Sequence, residues 1–292
     1  VQKNSPYISV SDIEDVIGAV PLVRRDGRSV PIDVTKTTKT LIEVDPIKVS
    51  RTLPAKDIND LIVAGDELSI KQTVEENISK CRDRISMTTE VLTRQALTGK
   101  IAYPYSTENG QGGLCEIELG TPKTLTPATL KTGSSLDAIL SLFDNALTEY
   151  QQKIGTAVEP VFLLGKSVYN NLIASLGALS GGFNGYAKWT DRGISLFGKY
   201  EVVSMALTFV LPDSKDVKSV VADNEIKIID LANAGKLIYA ALDDLNANLA
   251  PLPFFAKTWE ENDPSSVKIL GESKPLPAIP MNRVGKITVT VK

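Results

Sequence analysis

The chain is predicted to adopt an α+β fold, and three features of the sequence carry that prediction. One long amphipathic helix is written over residues 69–98. A helix, a buried strand and another helix follow between residues 135 and 176, the pattern of a layered unit. From residue 201 onward strands dominate, ending in the alternating block Val284-Gly-Lys-Ile-Thr-Val-Thr-Val-Lys292. A terminus this regular is expected to be ordered by sheet pairing, because chain ends fray unless tied down.

Taken in order, residues 1–17 are polar and irregular, with a short turn at Ser11-Asp-Ile-Glu-Asp-Val-Ile. Residues 18–53 read as β. Asp26-Gly27 is a hairpin signal between two short strands, and Leu41-Ile-Glu-Val-Asp-Pro-Ile-Lys-Val is a second strand pair. Few large apolar residues support this region, so the hairpin is expected to project from the body. In the long helix, Ser69 and Gln72 form a capping box and Gly99 supplies the stop. Its apolar residues Ile70, Val74, Ile78, Cys81, Ile85 and Leu92 recur at three- and four-residue spacing. At ~1.5 Å per residue it is about 45 Å long, and one narrow stripe on such a rod must lie along a sheet or beside other long elements.

Residues 100–133 are rich in Gly, Pro and Thr, with one strand expected at Leu114-Cys-Glu-Ile-Glu-Leu. A second amphipathic helix spans about 135–153, with Leu136, Ile139, Leu140, Phe143, Leu147 and Tyr150 on one face. Glu159-Pro-Val-Phe-Leu-Leu-Gly reads as a buried strand and the segment from Lys166 to Leu176 as a third helix. Ser180 to Gly198 holds several glycines and reads as a loop. Strands are then expected at Glu201–Met205, Thr208–Leu211, Ser219–Ala222, Glu225–Leu231, Lys236–Leu242 and in the C-terminal block.

Composition narrows the function. The 292 residues, 42% hydrophobic and 23% charged, are ordinary for a folded domain or two. No apolar run approaches the ~20 residues of a membrane span, and no basic-then-apolar leader opens the chain. It begins at Val1, which fits either a trimmed chain or a cleaved longer precursor. The net charge of -3 argues against a general nucleic-acid binder, whose affinity comes from neutralised phosphates. Cys81 and Cys115 have no metal or disulfide spacing, and Cys81 falls on the helix stripe as a buried thiol. Histidine is absent, which removes the side chain best suited to proton transfer near neutral pH and every Ser-His or Cys-His mechanism. Carboxylate or lysine chemistry stays open, so a carboxylate-dependent enzyme and a monomeric binding module remain alternatives.

The motifs each have a plain reading beside the functional one. Gly181-Gly182-Phe183-Asn184-Gly185 could cradle a phosphate, but no helix is expected directly after it and no Gly-Lys-Ser/Thr follows. It reads as a surface loop. Arg24, Arg25, Asp26, Gly27 and Arg28, with Lys36 and Lys39, make a local basic patch. That patch suits phosphates, an acidic face on a neighbouring chain, or simply solvent. Glu260, Glu261 and Asp263 beside Trp259 lack the donor spacing of a calcium loop, and Asp243-Asp244 and Glu75-Glu76 read as solvated faces. What remains is geometric: an arm, a projecting hairpin, a long helix, a compact layered unit and a returning strand. Projecting elements bury surface only on a neighbour, which is the logic of an assembly subunit.

Four segments, in this order, carry a resemblance. Lys48-Val-Ser-Arg-Thr-Leu-Pro is similar to an arginine-leucine-proline segment that closes an extended loop. Glu90-Val-Leu-Thr-Arg-Gln-Ala-Leu-Thr-Gly-Lys is similar to a helix end stopping in Gly-Lys. Asp223-Asn-Glu-Ile-Lys-Ile-Ile-Asp is similar to an aspartate-asparagine strand. The closing block has an aromatic residue near an Asp-Pro, a polar strand, a proline-bearing segment and a final alternating strand. Together they resemble the major capsid proteins of tailed bacteriophages, in the family of the phage lambda major head protein.

The resemblance implies the Hong Kong 97-type capsid fold. Residues 1–17 would be an N-terminal arm and 18–60 an extended β-hairpin loop. Residues 61–130 and 251–292 would form a peripheral domain with the spine helix, and 131–250 an axial α/β domain. It implies a non-enzymatic head protein of the virion, assembled in the bacterial host cytoplasm, that self-assembles into the icosahedral shell around double-stranded DNA. Its partners would be copies of itself in hexamers and pentamers, a trimeric decoration protein, a portal and a scaffold or protease. No cofactor is implied, and DNA contact would be non-specific. Arg24, Arg25, Asp26, Gly27, Arg28, Lys36 and Lys39 would serve subunit or decoration-protein contacts, and Gly181, Gly182, Phe183, Tyr186 and Trp189 an axial-loop contact. An encapsulin-like bacterial compartment, which shares the fold and holds protein cargo, is the nearest alternative.

Overall fold

The computed structural model describes residues 1–9, 41–63, 67–106, 112–156, 158–212 and 217–291. The expected hairpin around Asp26-Gly27 lies outside these residues. In chain order the elements begin with β1 (Tyr7–Ser9), β2 (Leu41–Glu43), β3 (Ile47–Pro54), α1 (Ala55–Val63) and α2 (Glu67–Ala96). Next come β4 (Lys100–Ser106), β5 (Gly112–Glu118), β6 (Lys123–Thr124), β7 (Ala128–Leu130), α3 (Leu136–Ile154), β8 (Pro160–Leu164) and α4 (Lys166–Ala178). They are followed by α5 (Gly182–Tyr186), β9 (Ala187–Trp189), β10 (Ile194–Leu196), β11 (Tyr200–Ser204), β12 (Thr208–Val210), β13 (Val217–Ser219) and β14 (Glu225–Asp230). The last are β15 (Lys236–Tyr239), β16 (Phe255–Asn262), β17 (Ser265–Ser273), β18 (Pro275–Ala278) and β19 (Gly285–Val291).

These elements divide into two compact units, the first holding Val1–Glu90 and Lys236–Ala278, the second Val91–Gly235 and Ile279–Lys292. The sequence-based grouping cuts the chain elsewhere, joining 61–130 with all of 251–292. In the structure the C-terminal block is split between the units at Ala278. Its last strand, β19, pairs with β14, β6 and β7 of the second unit.

The second unit is built on a sheet of order β6-β19-β14-β8-β11-β10-β9, with β7 also on β19. β8 and β11 run parallel, and antiparallel neighbours flank them. Alternate residues of a strand face opposite sides, and β8 uses both. Phe162 and Leu164 pack with Ile139, Phe143 and Tyr150 of α3 and with Val168 and Leu172 of α4. Val161 and Leu163 pack on the other side with Phe209, Val220 and Val221. This double burial is why Pro-Val-Phe-Leu-Leu reads as a continuous apolar run. Phe143 meets Phe162 edge-on at 5.0 Å and stacks on Tyr200 at 5.5 Å. Each such buried ring contributes about 1.5–3 kcal/mol relative to exposure. Helix α3 starts where Ser135 accepts a hydrogen bond from the Ala138 amide (3.3 Å) and stops at Gly155.

Three polar ties close this unit. Asp230 is fully buried and accepts from the amides of Glu159 (3.0 Å) and Ala232 (3.3 Å), from Asn233 Nδ2 (2.8 Å) and from the Arg283 guanidinium (3.3 Å). Tyr150 donates to the Arg283 carbonyl at 2.6 Å, and burial raises its phenol well above the ordinary range. Lys227 is buried on β14 and donates to the carbonyls of Leu97 (2.8 Å) and Val220 (3.2 Å), with desolvation lowering its pKa.

In the first unit, β17 is the central strand of an antiparallel sheet of order β16-β17-β3. One face lies against α2, where only Asn77, Cys81 and Ile85 are buried between residues 67 and 90 among the described side chains. Burial raises the pKa of the Cys81 thiol. The helix begins two residues before the expected start, so Ser69 lies inside it and is not its cap. The chain turns through Leu97 and Thr98 into Gly99, whose φ of +95° is left-handed.

Other expectations need correction. Residues 1–9, expected to be irregular, are tied down: the Lys3 amide donates to Tyr239 (3.0 Å), the Ala241 amide donates to Ser5 (3.0 Å), and β1 pairs with β2. Residues 55–60 belong to α1, not to a loop. Residues 100–133 hold four strands in place of the one expected. The strand expected at Ser219–Ala222 falls at Val217–Ser219.

Candidate assembly surfaces

The segment from Ser180 to Gly198 is folded, contrary to its reading as a loop. Helix α4 ends where the Leu179 amide donates to Leu176 (3.3 Å), and Gly181 adopts φ +102°. A single helical turn, α5, runs through the glycines from Gly182 to Tyr186, and strand β9 follows it directly, so no helix starts after the glycines, as expected. With five residues and no following Gly-Lys-Ser/Thr, it is no phosphate loop. Tyr186 Oη donates to the Ser180 carbonyl at 2.6 Å, closing the turn, and its ring meets Phe197 edge-on at 6.3 Å. β9 and β10 then form a hairpin, with β9 at the sheet edge.

The structure brings the predicted residues of this segment together. Phe183 and Trp189 stack at 5.2 Å with 25° between the rings, and Trp189 is 66% exposed. Aromatic side chains are enriched among the residues that carry the binding energy of protein interfaces. Beside the hairpin is an open polar depression of about 410 Å³ lined by Asp191, Arg192, Lys199 and Glu201 among others. Lys199 donates to Asp144 at 2.6 Å and Tyr200 donates to the same carboxylate. These two hydrogen bonds, Lys199 first, hold the Asp144 pKa below the ordinary carboxylate range.

The other predicted contact residues, Arg24, Arg25, Asp26, Gly27, Arg28, Lys36 and Lys39, lie outside the described residues. The Trp259 cluster is a surface feature. Lys257 sits over the Trp259 ring at 5.6 Å, and Glu261 pairs with Lys268 at 2.6 Å. Among the described residues no group of His, Cys, Asp and Glu could hold a metal ion, and no helix is long and apolar enough to cross a membrane.

One charged cluster was missed by sequence reasoning. Asp243 is exposed, as its reading as a solvated face expects, yet pairs with the buried Lys274, while Asp244 is largely covered and pairs with Lys257. The Lys257 hydrogen bond is the main cause of a lowered Asp244 pKa. Close by, Glu272 is fully buried on β17 with Lys48 Nζ 3.6 Å away. Glu272-Ser273-Lys274 reads as three surface residues because nothing in its hydropathy signals burial. The only available hint was its place between Leu270 and the apolar, proline-rich run from Pro275.

A family model described as phage major capsid protein E matches residues 1–286. No curated protein sequence matches the chain. Among solved structures, the putative capsid protein of a prophage of E. coli CFT073 is similar over 86% of this chain and 78% of its own, at 15% identity and a TM-score of 0.55. The mature capsid of bacteriophage PhiM1 aligns over 99% of this chain and 84% of its own, at 12% identity and a TM-score of 0.47. A virus-like particle from Pyrococcus furiosus aligns over 98% and 88%, at 11% identity and 0.42.

Proposed function

The chain belongs to the phage major capsid protein E family, and from that premise we propose that its copies close into the icosahedral head shell around the double-stranded DNA of a tailed phage. It is a shell-forming capsid protein of the Hong Kong 97-type fold. The observation that carries this reading is the family match, which spans 286 of the 292 residues. The same match favours a phage head over a compartment for protein cargo.

In this reading the first unit serves as the peripheral domain and the second as the axial domain. The Phe183–Trp189 stack on the edge hairpin anchors a contact between copies around a symmetry axis. The stack's exposure and its rigid base, pinned by Tyr186 and Phe197, support that role. The basic residues between Arg24 and Lys39 meet an acidic face of a neighbour or a trimeric decoration protein. A portal and a scaffold or protease act during assembly in the host cytoplasm, and DNA is touched without sequence preference. The chain catalyses no reaction of its own.

Size-exclusion chromatography with light scattering tests the self-association this requires. Species of capsomer mass or larger are expected as protein concentration rises. A monomer at every concentration and salt condition would sink the reading.

A further inference from the structure

We propose that Glu272 is a pH-sensitive latch on β3: while its carboxyl is neutral the Lys48 end of β3 stays paired with β17, and when it ionises that end lifts to let water reach the charge. The starting observation is an unsatisfied group. Glu272 has no exposed surface, and neither carboxyl oxygen has a hydrogen-bond partner among the described residues. The Ser273 hydroxyl beside it is equally buried and has no hydrogen-bond partner among the described residues either. A neutral carboxyl tolerates such a site far better than a carboxylate, whose burial without donors is severely unfavourable.

The charges around Glu272 do not remove this conflict. Lys48, directly opposite on β3, holds its ammonium 3.6 Å away, outside hydrogen-bond reach, and its side chain is 51% exposed. Asp244, ahead of the turn Leu245–Ala247, repels a charge on Glu272 and is itself engaged by Lys257 of β16. Lys274 favours ionisation but is bound to Asp243. The cross-strand residue on β16 is Phe255, which offers no donor. In sum burial dominates, and the Glu272 pKa stands above its ordinary 4.5.

The sheet order decides what yields. β17 is central, whereas β3 is an edge strand in the described sheet. The opposite face of β17 is closed by α2 at Gly271. Water therefore has its shortest path past the half-exposed Lys48, by opening the Lys48↔Glu272 and Ile47↔Ser273 pairs at one end of the ladder. The sign follows from linkage. With the folded pKa raised, the pairing is fully stable below 4.5 and weakens as pH rises through the folded value.

The device belongs to the single chain, so it stands or falls in unassembled protein, independently of shell formation. Hydrogen–deuterium exchange of the full chain, corrected for intrinsic rates, reads it out between about pH 4.5 and about pH 8. Protection of residues 47–53 is expected to fall about tenfold or more as pH rises, while β19 serves as the unchanged reference. Glu272→Gln should abolish the fall, and Glu272→Met takes its place if the amide variant does not fold. Lys48→Met should move the fall to higher pH, because the lysine charge favours the ionised carboxyl. Flat or rising protection in the unmodified chain would mean that Lys48 simply closes on the carboxylate, and would overturn the proposal. So would an unchanged pH profile in the Glu272 variants, or a Lys48→Met profile that stays in place or moves to lower pH.

Discussion

Gly271 of β17 lies directly beneath Cys81 of α2: a Cβ placed on Gly271 would stand 3.0 Å from the Cys81 Cβ, 3.1 Å from Phe254 and 3.4 Å from Ile85. The missing side chain is what lets the long helix reach the sheet. Among the described side chains of α2 before residue 90 only Asn77, Cys81 and Ile85 are buried, and two of these three meet the sheet at Gly271.

Gly271→Val should therefore overpack the helix–sheet contact. The expected loss is about 1–3 kcal/mol, read from the denaturation midpoint. Backbone strain does not enter, because Gly271 is not among the positive-φ glycines.

Asp230→Ala leaves the buried Arg283 guanidinium without its carboxylate. The loss is expected to reach about 3–5 kcal/mol, lowering soluble yield and midpoint together. Asp230→Ala combined with Arg283→Met should recover part of it, because the stranded charge is gone. A double variant no better than the single would show that the loss comes from the Glu159, Ala232 and Asn233 hydrogen bonds.

Trp189→Ser should separate assembly from folding. With 66% of Trp189 exposed, the unfolding midpoint should stay within about 1 kcal/mol of the parent. Association by light scattering should weaken at least tenfold if the Phe183–Trp189 stack is an anchor. Unchanged association would remove the stack from the interface.

Reversing the charge of Arg24, Arg25 and Arg28 together should leave the chain folded while impairing assembly or decoration. The circular dichroism spectrum is expected to match the parent, and particle yield to drop severalfold. Normal particles would count against an interface role for this patch.

Much of the fold was legible in the sequence because its signals are local. The α3 stripe, the run Val161 to Leu164 and the alternation of β19 all follow from burial periodicity, and the structure bears them out. Signals failed where tertiary context overrides composition. Glycines at 181, 182 and 185 suggested a loop, yet a helical turn forms there because Tyr186 and Phe197 pin it. The Gly-, Pro- and Thr-rich stretch of 100–133 gave little periodicity, yet β6 and β7 form by pairing with β19, more than a hundred residues away. Of the contact residues, Phe183 and Trp189 were named as separate aromatics, but only the folded hairpin stacks them. The buried charges Lys227, Glu272 and Lys274 were invisible for the same reason, since a charged residue in a strand reads as solvent-facing until a neighbouring element covers it.

The most direct test of shell formation is electron microscopy of purified particles, with nuclease-protected nucleic acid measured on the same sample. The account predicts closed icosahedral shells built of pentamers and hexamers, enclosing double-stranded DNA when taken from a productive infection. Shells filled with protein cargo and free of DNA would contradict the phage-head reading. Absence of any shell, with a folded monomer at all concentrations, would contradict the account as a whole.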